Sequence, residues 1–278
     1  MQNSTGHTTD QRAQSTRSQI IRQWLTVVAV LMAIAVNGLS NLFPPAGQNT
    51  GEVSNTVLGG VLITPAGYAF AIWGLIYLAL IAYSIYQALP AQRHHKAFER
   101  VSWAIIGACV FQIIWLYFFL TYQFWVSVLF MVGILACLAF GYLATRSVKP
   151  TRNVRWFFQA PISLYFGWIT IATVLNVSSA LYAMAIPTAD IGSFSGVVEA
   201  STGGLVATLV MICISAGLAA LVAWQYQDAT YPAVAVWGLI AIAIRNAAIS
   251  PIAFVSVAVA VGLCIVIARI KFIRRPTL

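Results

Sequence analysis

Runs of about 20 apolar residues constrain this chain most, because a bilayer's hydrocarbon core is about 30 Å thick and a helix rises about 1.5 Å per residue. Eight such runs occur, at roughly 23–43, 66–89, 101–120, 122–145, 157–186, 203–226, 231–249 and 251–270. None alternates with the period of two that a barrel strand needs. Backbone amides in lipid must be paired within their own segment, so all eight read as transmembrane helices. The least marked boundaries are the tight turn near Thr121 and the break at Ser250-Pro251. Charged residues make up 8% of the 278 positions, against about 25% in soluble domains, which excludes a water-soluble enzyme. The four cysteines, Cys109, Cys137, Cys213 and Cys264, lie in apolar runs without CxxC spacing and read as packing residues. His7, His94 and His95 fall outside the runs, so no metal site is expected inside the membrane.

The 15 basic residues set the expected orientation. Arg12, Arg17 and Arg22 precede the first run; Arg93, Lys96 and Arg100 separate the second from the third; Arg146, Lys149, Arg152 and Arg155 separate the fourth from the fifth; Arg269, Lys271, Arg274 and Arg275 close the chain. With an even number of spans these segments share one side, which the positive-inside rule makes cytoplasmic, with both termini there. The opposite loops carry Glu52, Asp190 and Glu199. Topology thus accounts for the net charge of +9, and no nucleic-acid partner is expected. Residues 1–20, rich in Ser, Thr, Gln and Asn, are expected to form a disordered cytoplasmic tail. The lack of a convincing presequence points to a bacterial plasma membrane.

No Asp or Glu falls within a run, which argues against a carboxylate-driven pump or a two-carboxylate hydrolase. No catalytic residue is assigned, and the chain is expected not to be an enzyme. Arg245 is the one cation inside a run; it either snorkels to the outer interface or pairs with Glu199 or an anionic ligand. Trp24, Trp103, Trp156, Trp224 and Tyr231 stand at inner ends and read as interfacial belt residues. Deeper rings and carboxamides recur at helical spacing: Phe70, Trp73 and Tyr77 in the second run; Gln112, Trp115 and Phe119 in the third; Tyr165, Trp168, Ala172, Asn176 and Ser179 in the fifth. Such stripes serve either as packing or as the wall of a pocket. Trp73, Trp115 and Asn176 fall at similar depth in the outer half, with Asn37 a further polar position. A cavity walled by rings with a few carboxamides suits a flat, apolar ligand. Asn37 and Gln112 read equally well as interhelical hydrogen-bonding residues.

Two of these stripes carry a family resemblance. The stretch Thr64-Pro65-Ala66-Gly67-Tyr68-Ala69-Phe70-Ala71-Ile72-Trp73-Gly74-Leu75-Ile76-Tyr77, with Trp73 eight residues after Pro65 and Tyr77 four after Trp73, resembles the second helix of the tryptophan-rich sensory protein and mitochondrial translocator protein family, TspO/MBR. The fifth run, from Pro161 through Tyr165 and Trp168 to Leu175-Asn176, is similar to that family's fifth helix. Gln112 stands where the family has its third-helix Gln, whereas Leu116 and Phe119 replace the family's Asn and Trp, and Ala66-Gly67 departs from its first-loop pair. The resemblance covers about 23–186. It implies a five-helix bundle binding porphyrins, sterol-like lipids or synthetic aromatic ligands, and makes Trp73, Tyr77, Gln112, Tyr165, Trp168 and Asn176 pocket candidates, which Trp115 joins from the depth argument. Tyr182 has no Lys or Arg within five residues, so the cholesterol-recognition pattern is not supported.

The expected fold is therefore an all-α polytopic membrane protein: a tail over 1–20, a five-helix translocator-protein-like core over 21–186, and three additional helices with a basic cytoplasmic end over 187–278. Gly203, Gly204, Gly217 and Gly262 offer close helix approach in the last part, which either packs on the core or forms a homo-oligomer interface. The leading functional expectation is a membrane protein that binds, senses or moves a flat hydrophobic ligand. By resemblance that ligand is a porphyrin or haem, and no resident cofactor is expected. A transporter of another amphipathic solute and a structural or assembly protein stay open as alternatives.

Overall fold

The computed structural model describes the backbone of residues 4–184 and 202–273. Asp190, Glu199, Arg274 and Arg275, which entered the charge argument, lie outside the described residues. Among the described residues there is no strand, and the long helices are α1 (Ser4–Leu42), α2 (Ile72–Ala88), α3 (Lys96–Leu120), α4 (Phe124–Arg146), α5 (Ala160–Ala183), α6 (Thr202–Tyr226), α7 (Thr230–Arg245) and α8 (Ser250–Ile273). Counting with α2 the 3-10 turn Gly67–Ala71 that leads into it, all but α7 are long and apolar enough to cross a membrane. At 16 residues, α7 measures about 24 Å, short of the hydrocarbon thickness.

Local chemistry explains most boundaries. A tight turn at Thr121 joins α3 to α4, with Tyr122 in the left-handed region at φ 62°. The α6–α7 turn uses Gln227 at φ 52°, after which the Asp228 carboxylate accepts from the Thr230 amide at 2.8 Å. The expected seventh span to residue 249 is shorter, because α7 ends at Arg245 and a turn leads to Pro251 in the first turn of α8, where a missing amide hydrogen costs nothing. At the start of the fifth span Pro161 cannot donate and its ring presses on the carbonyl four residues back. The helix accommodates this with a π turn over Arg155–Gln159, preceded by a short helical turn, Arg152–Val154. The span therefore begins at Arg152, earlier than expected.

The expected disordered tail is corrected too: α1 runs as helix from Ser4. Residues 4–20 contain no proline and one glycine, so a helix nucleated in the apolar part meets no breaker on extending backward.

Helices α3 and α4 approach closely through glycines. A Cβ on Gly107 would lie 3.0 Å from the Cys137 sulfur, and one on Gly141 would lie 3.0 Å from the Ala104 Cβ. Of the last three helices, α6 and α7 lie against α5 of the core and against each other, and α8 packs on α6 and α7. The closest α5–α7 approach is reciprocal, since a Cβ at Gly167 would meet the Tyr231 carbonyl at 3.2 Å and one at Gly238 would meet Ile171 at 3.1 Å. Gly217 and Gly262, expected to serve this purpose, face open space.

The segment between α1 and α2 folds inward. It contains a short helix, Thr50–Asn55, closed by an Asn49/Glu52 capping box, and it buries Val53, Val57, Leu58, Val61 and Ile63. Helix α7 clamps it: the Ala66 amide donates to the Ala241 carbonyl at 3.0 Å, Asn246 donates to the Leu62 carbonyl at 2.9 Å, and Trp237 Nε1 donates to the Ala69 carbonyl at 3.0 Å. Arg245 donates to Asn55 Oδ1 at 2.6 Å and to the Gly59 carbonyl at 3.4 Å. It is therefore tied to the α1–α2 segment rather than simply snorkelling, and Glu199 lies outside the described residues.

Candidate functional site

The seven candidate residues fall into two layers. In the first, α2, α3 and α5 bring together Trp73, Tyr77, Gln112, Tyr165 and Trp168. Tyr165 donates its hydroxyl to Gln112 Oε1, and Gln112 Nε2 donates to the Tyr77 hydroxyl at 3.0 Å. Trp73 stacks on Tyr77 at 5.5 Å and meets Tyr165 and Trp168 edge-on at 6.0 and 6.4 Å; Phe70 meets Trp168 at 6.2 Å. Gln112, Tyr165 and Trp168 are buried, whereas Trp73 and Tyr77 are half-buried. The buried Trp168 Nε1 has no hydrogen-bond partner.

In the second layer, α3, α4 and α5 bring together Trp115, Asn176 and Ser127. Trp115 Nε1 donates to Asn176 Oδ1 at 2.8 Å, and Asn176 Nδ2 donates to Ser127 Oγ at 2.9 Å. Trp115 stacks on Phe119 at 5.1 Å. Along α5, Tyr165 and Asn176 stand eleven residues apart, about 16 Å. Trp73, Trp115 and Asn176 thus do not share one depth, and Trp73 belongs with the layer nearer the basic end. The side-chain bonds of Asn37 stay within α1, at Asn41, so it joins neither layer. Tyr231, expected in the interfacial belt, is instead buried and donates to Thr170 at 2.9 Å. Trp24, Trp103, Trp156 and Trp224 are exposed.

Two polar clusters at the basic end escaped the sequence reading. Arg22, 2% exposed, donates to Ser102 at 2.9 Å, to the Arg93 carbonyl at 3.0 Å and to Gln19 at 2.8 Å. Gln23 and Gln87 exchange bonds with each other's backbone carbonyls at 2.7 and 2.9 Å, locking α1 to α2. The second cluster ties α4 to the α6–α7 turn. Arg146 donates to Asp228 at 2.8 Å and to Ser163 at 2.6 Å, Tyr142 donates to Asp228 at 3.0 Å, and the guanidinium lies 4.1 Å over the Tyr142 ring. The available signal was that Asp228 is the one acid in the short link between the sixth and seventh apolar runs, on the side where the basic segments gather.

Two cavities accompany these clusters. One, of about 30 Å³, sits between α5, α6 and α7 and is walled by groups such as Ile63, Ile171, Val174, Ile212 and Leu239. The other is a groove of about 1100 Å³ between the start of α2, the basic end of α5, and α7, reaching Lys271 of α8. None of the seven candidates lines either one. Among the described residues no three His, Cys, Asp or Glu side chains are grouped to hold a metal.

Long apolar helices joined by short turns, with hydrogen-bonded aromatic layers inside the bundle, define an all-α polytopic membrane protein. A family model described as TSPO-like protein matches residues 23–269, and the chain belongs to that family. The match extends past the five spans that carry the motif resemblance and takes in α6, α7 and most of α8. No curated protein and no solved structure matches the chain significantly. Family and architecture together fit a role in binding or transport at the membrane.

Proposed function

We propose that the chain binds a flat hydrophobic ligand of the tetrapyrrole class and senses or moves it, without catalysing a reaction on it. The observation that carries this reading is the first aromatic layer. The half-buried rings Trp73 and Tyr77 are stacked and backed by Tyr165 and Trp168, and the Trp168 N–H is buried without an acceptor. Stacked rings supply affinity for a planar ligand and a lone donor fixes its orientation. Trp115 and Asn176 satisfy each other, which makes the second layer a support for the first. The concentration of Arg22, Arg93, Arg146 and Arg155 at one end of the bundle supports a cytoplasmic placement of that end in a bacterial plasma membrane.

The test is a titration of the purified full chain in detergent with protoporphyrin IX, followed by tryptophan quenching. Saturable binding is expected, weakened about tenfold in Trp73→Phe and Trp168→Phe, in line with a loss of roughly 1.4 kcal/mol of ring contact. Asn176→Ala is expected to weaken it less. No saturable binding, or binding indifferent to both tryptophan substitutions, would reject the reading.

A further inference from the structure

The groove of about 1100 Å³ has two chemically different parts. Its deep part is apolar, formed by Ile72 and Leu75 of α2, Leu164 of α5, and Val234 and Trp237 of α7. Its mouth, at the basic end of the bundle, carries Arg146, Arg155, Asp228 and Lys271. These charges are not equivalent. Arg146 and Asp228 neutralise each other at 2.8 Å, the one ion pair among the described residues, which leaves Arg155 and Lys271 as exposed cations without an ionic partner there. The mouth therefore holds two uncompensated positive charges directly beside an apolar trough.

The trough has the depth of a lipid leaflet. Thr230 to Trp237 on α7 is seven residues, about 10 Å, and Arg155 to Leu164 on the fifth span is nine, about 14 Å, against about 15 Å for half a hydrocarbon core. The groove also opens sideways, past Leu75, which is 56% exposed, onto the surface that faces lipid. The π turn over Arg155–Gln159 sits at the mouth and presents Arg155, Trp156 and Gln159 to it. A π turn at such a place is a common companion of a binding site.

We propose that this groove is a site for an anionic phospholipid. The phosphate sits at Arg155 and Lys271, and an acyl chain lies along Ile72, Leu75, Leu164 and Trp237. A soluble anion would use the mouth alone and leave the trough unfilled, whereas a neutral amphipath would leave the two charges unanswered. Basic pockets between transmembrane helices at the cytoplasmic face are suited to such headgroups. The site shares no residue with the aromatic layers and stands or falls independently of the tetrapyrrole reading.

Native mass spectrometry of the full chain released from detergent tests the assignment, with phosphatidylglycerol and phosphatidylcholine of identical acyl chains as probes. Phosphatidylglycerol is expected to be retained about tenfold more tightly, as two nearby basic residues imply. The double variant R155Q/K271Q is expected to abolish this preference, and A233W, which fills the trough, to reduce retention of both lipids. Arg155 and Lys271 are exposed and unpaired, so the double variant keeps its thermal transition. Equal retention of the two lipids by the native chain would overturn the proposal, as would a preference unchanged in R155Q/K271Q. Displacement of phosphatidylglycerol by millimolar inorganic phosphate would also overturn it, by showing an anion site without a lipid.

Discussion

Gln112 is the side chain on which the first aromatic layer turns. Its carboxamide accepts from Tyr165 and donates to Tyr77, and it is 2% exposed. In the interior of a bundle no water replaces a lost partner, so Gln112→Leu leaves two phenols unanswered. The expected cost is about 1–2 kcal/mol, read as a lowered unfolding midpoint in detergent; Tyr77→Phe, which removes one bond and leaves the Tyr165 contact, is expected to cost less. In the second layer Asn176→Ala strips Trp115 Nε1 of its acceptor, with an expected loss of about 1 kcal/mol by the same measurement. Helical spacing was enough to place these residues on shared faces. It did not say that Gln112 bridges two tyrosines, because that requires knowing how α2 and α5 are rotated about α3.

At the scale of elements, close approach between helices is decided by which glycines face a neighbour. Gly238→Val drives a branched side chain into Ile171, 3.1 Å from the position of the first added carbon, and is expected to cost about 1–3 kcal/mol in thermal unfolding. Gly217→Val and Gly262→Val enter open space and are expected to stay within about 0.5 kcal/mol. Glycine content alone pointed to the latter pair. The contacts chose the former, because a glycine permits close packing only when its own face meets the neighbour. The Arg146–Asp228 pair is a second inter-element tie. Asp228→Leu strands a guanidinium whose side chain is 17% exposed, with an expected loss of about 3 kcal/mol. Adding Arg146→Met should return most of the lost stability, since replacing both charges by apolar groups removes the stranded ion. A double variant no more stable than Asp228→Leu would show that the pair does not act as a unit.

For the whole molecule, the alternating direction of α1 to α8, the short α7 included, brings the basic segments among the described residues to one end and the α1–α2 and α3–α4 connections to the other. Tyr122 in the latter donates to the Gln48 side chain at 3.4 Å in the former. Single cysteines introduced at Gln48 and at His94, in a background lacking the natural four, report orientation in intact cells. An impermeant thiol reagent is expected to label the Gln48 position and to spare the His94 position until the membrane is opened; the reverse pattern would invert the molecule. The short α7 is stabilised within this plan by its neighbours rather than by span length, through the bonds that it and the adjoining Asn246 make to the α1–α2 segment at Leu62, Ala66 and Ala69.

The number and approximate limits of the helices, their alternation and the inward stripes were determined by sequence alone. Apolar run length against bilayer thickness, and the 3.6-residue period, are properties of consecutive residues and need no partner to be read. Tertiary structure alone decided that the seven candidates split into two layers, that Arg245 and Trp237 grip the α1–α2 segment across 190 and 168 residues, and that Arg146 finds Asp228 82 residues away. It also decided that the groove of about 1100 Å³ is walled by none of the seven candidates. Such contacts depend on the rotation and tilt of each helix against its neighbours, which are set by the summed packing of whole faces and leave no periodic trace in the chain.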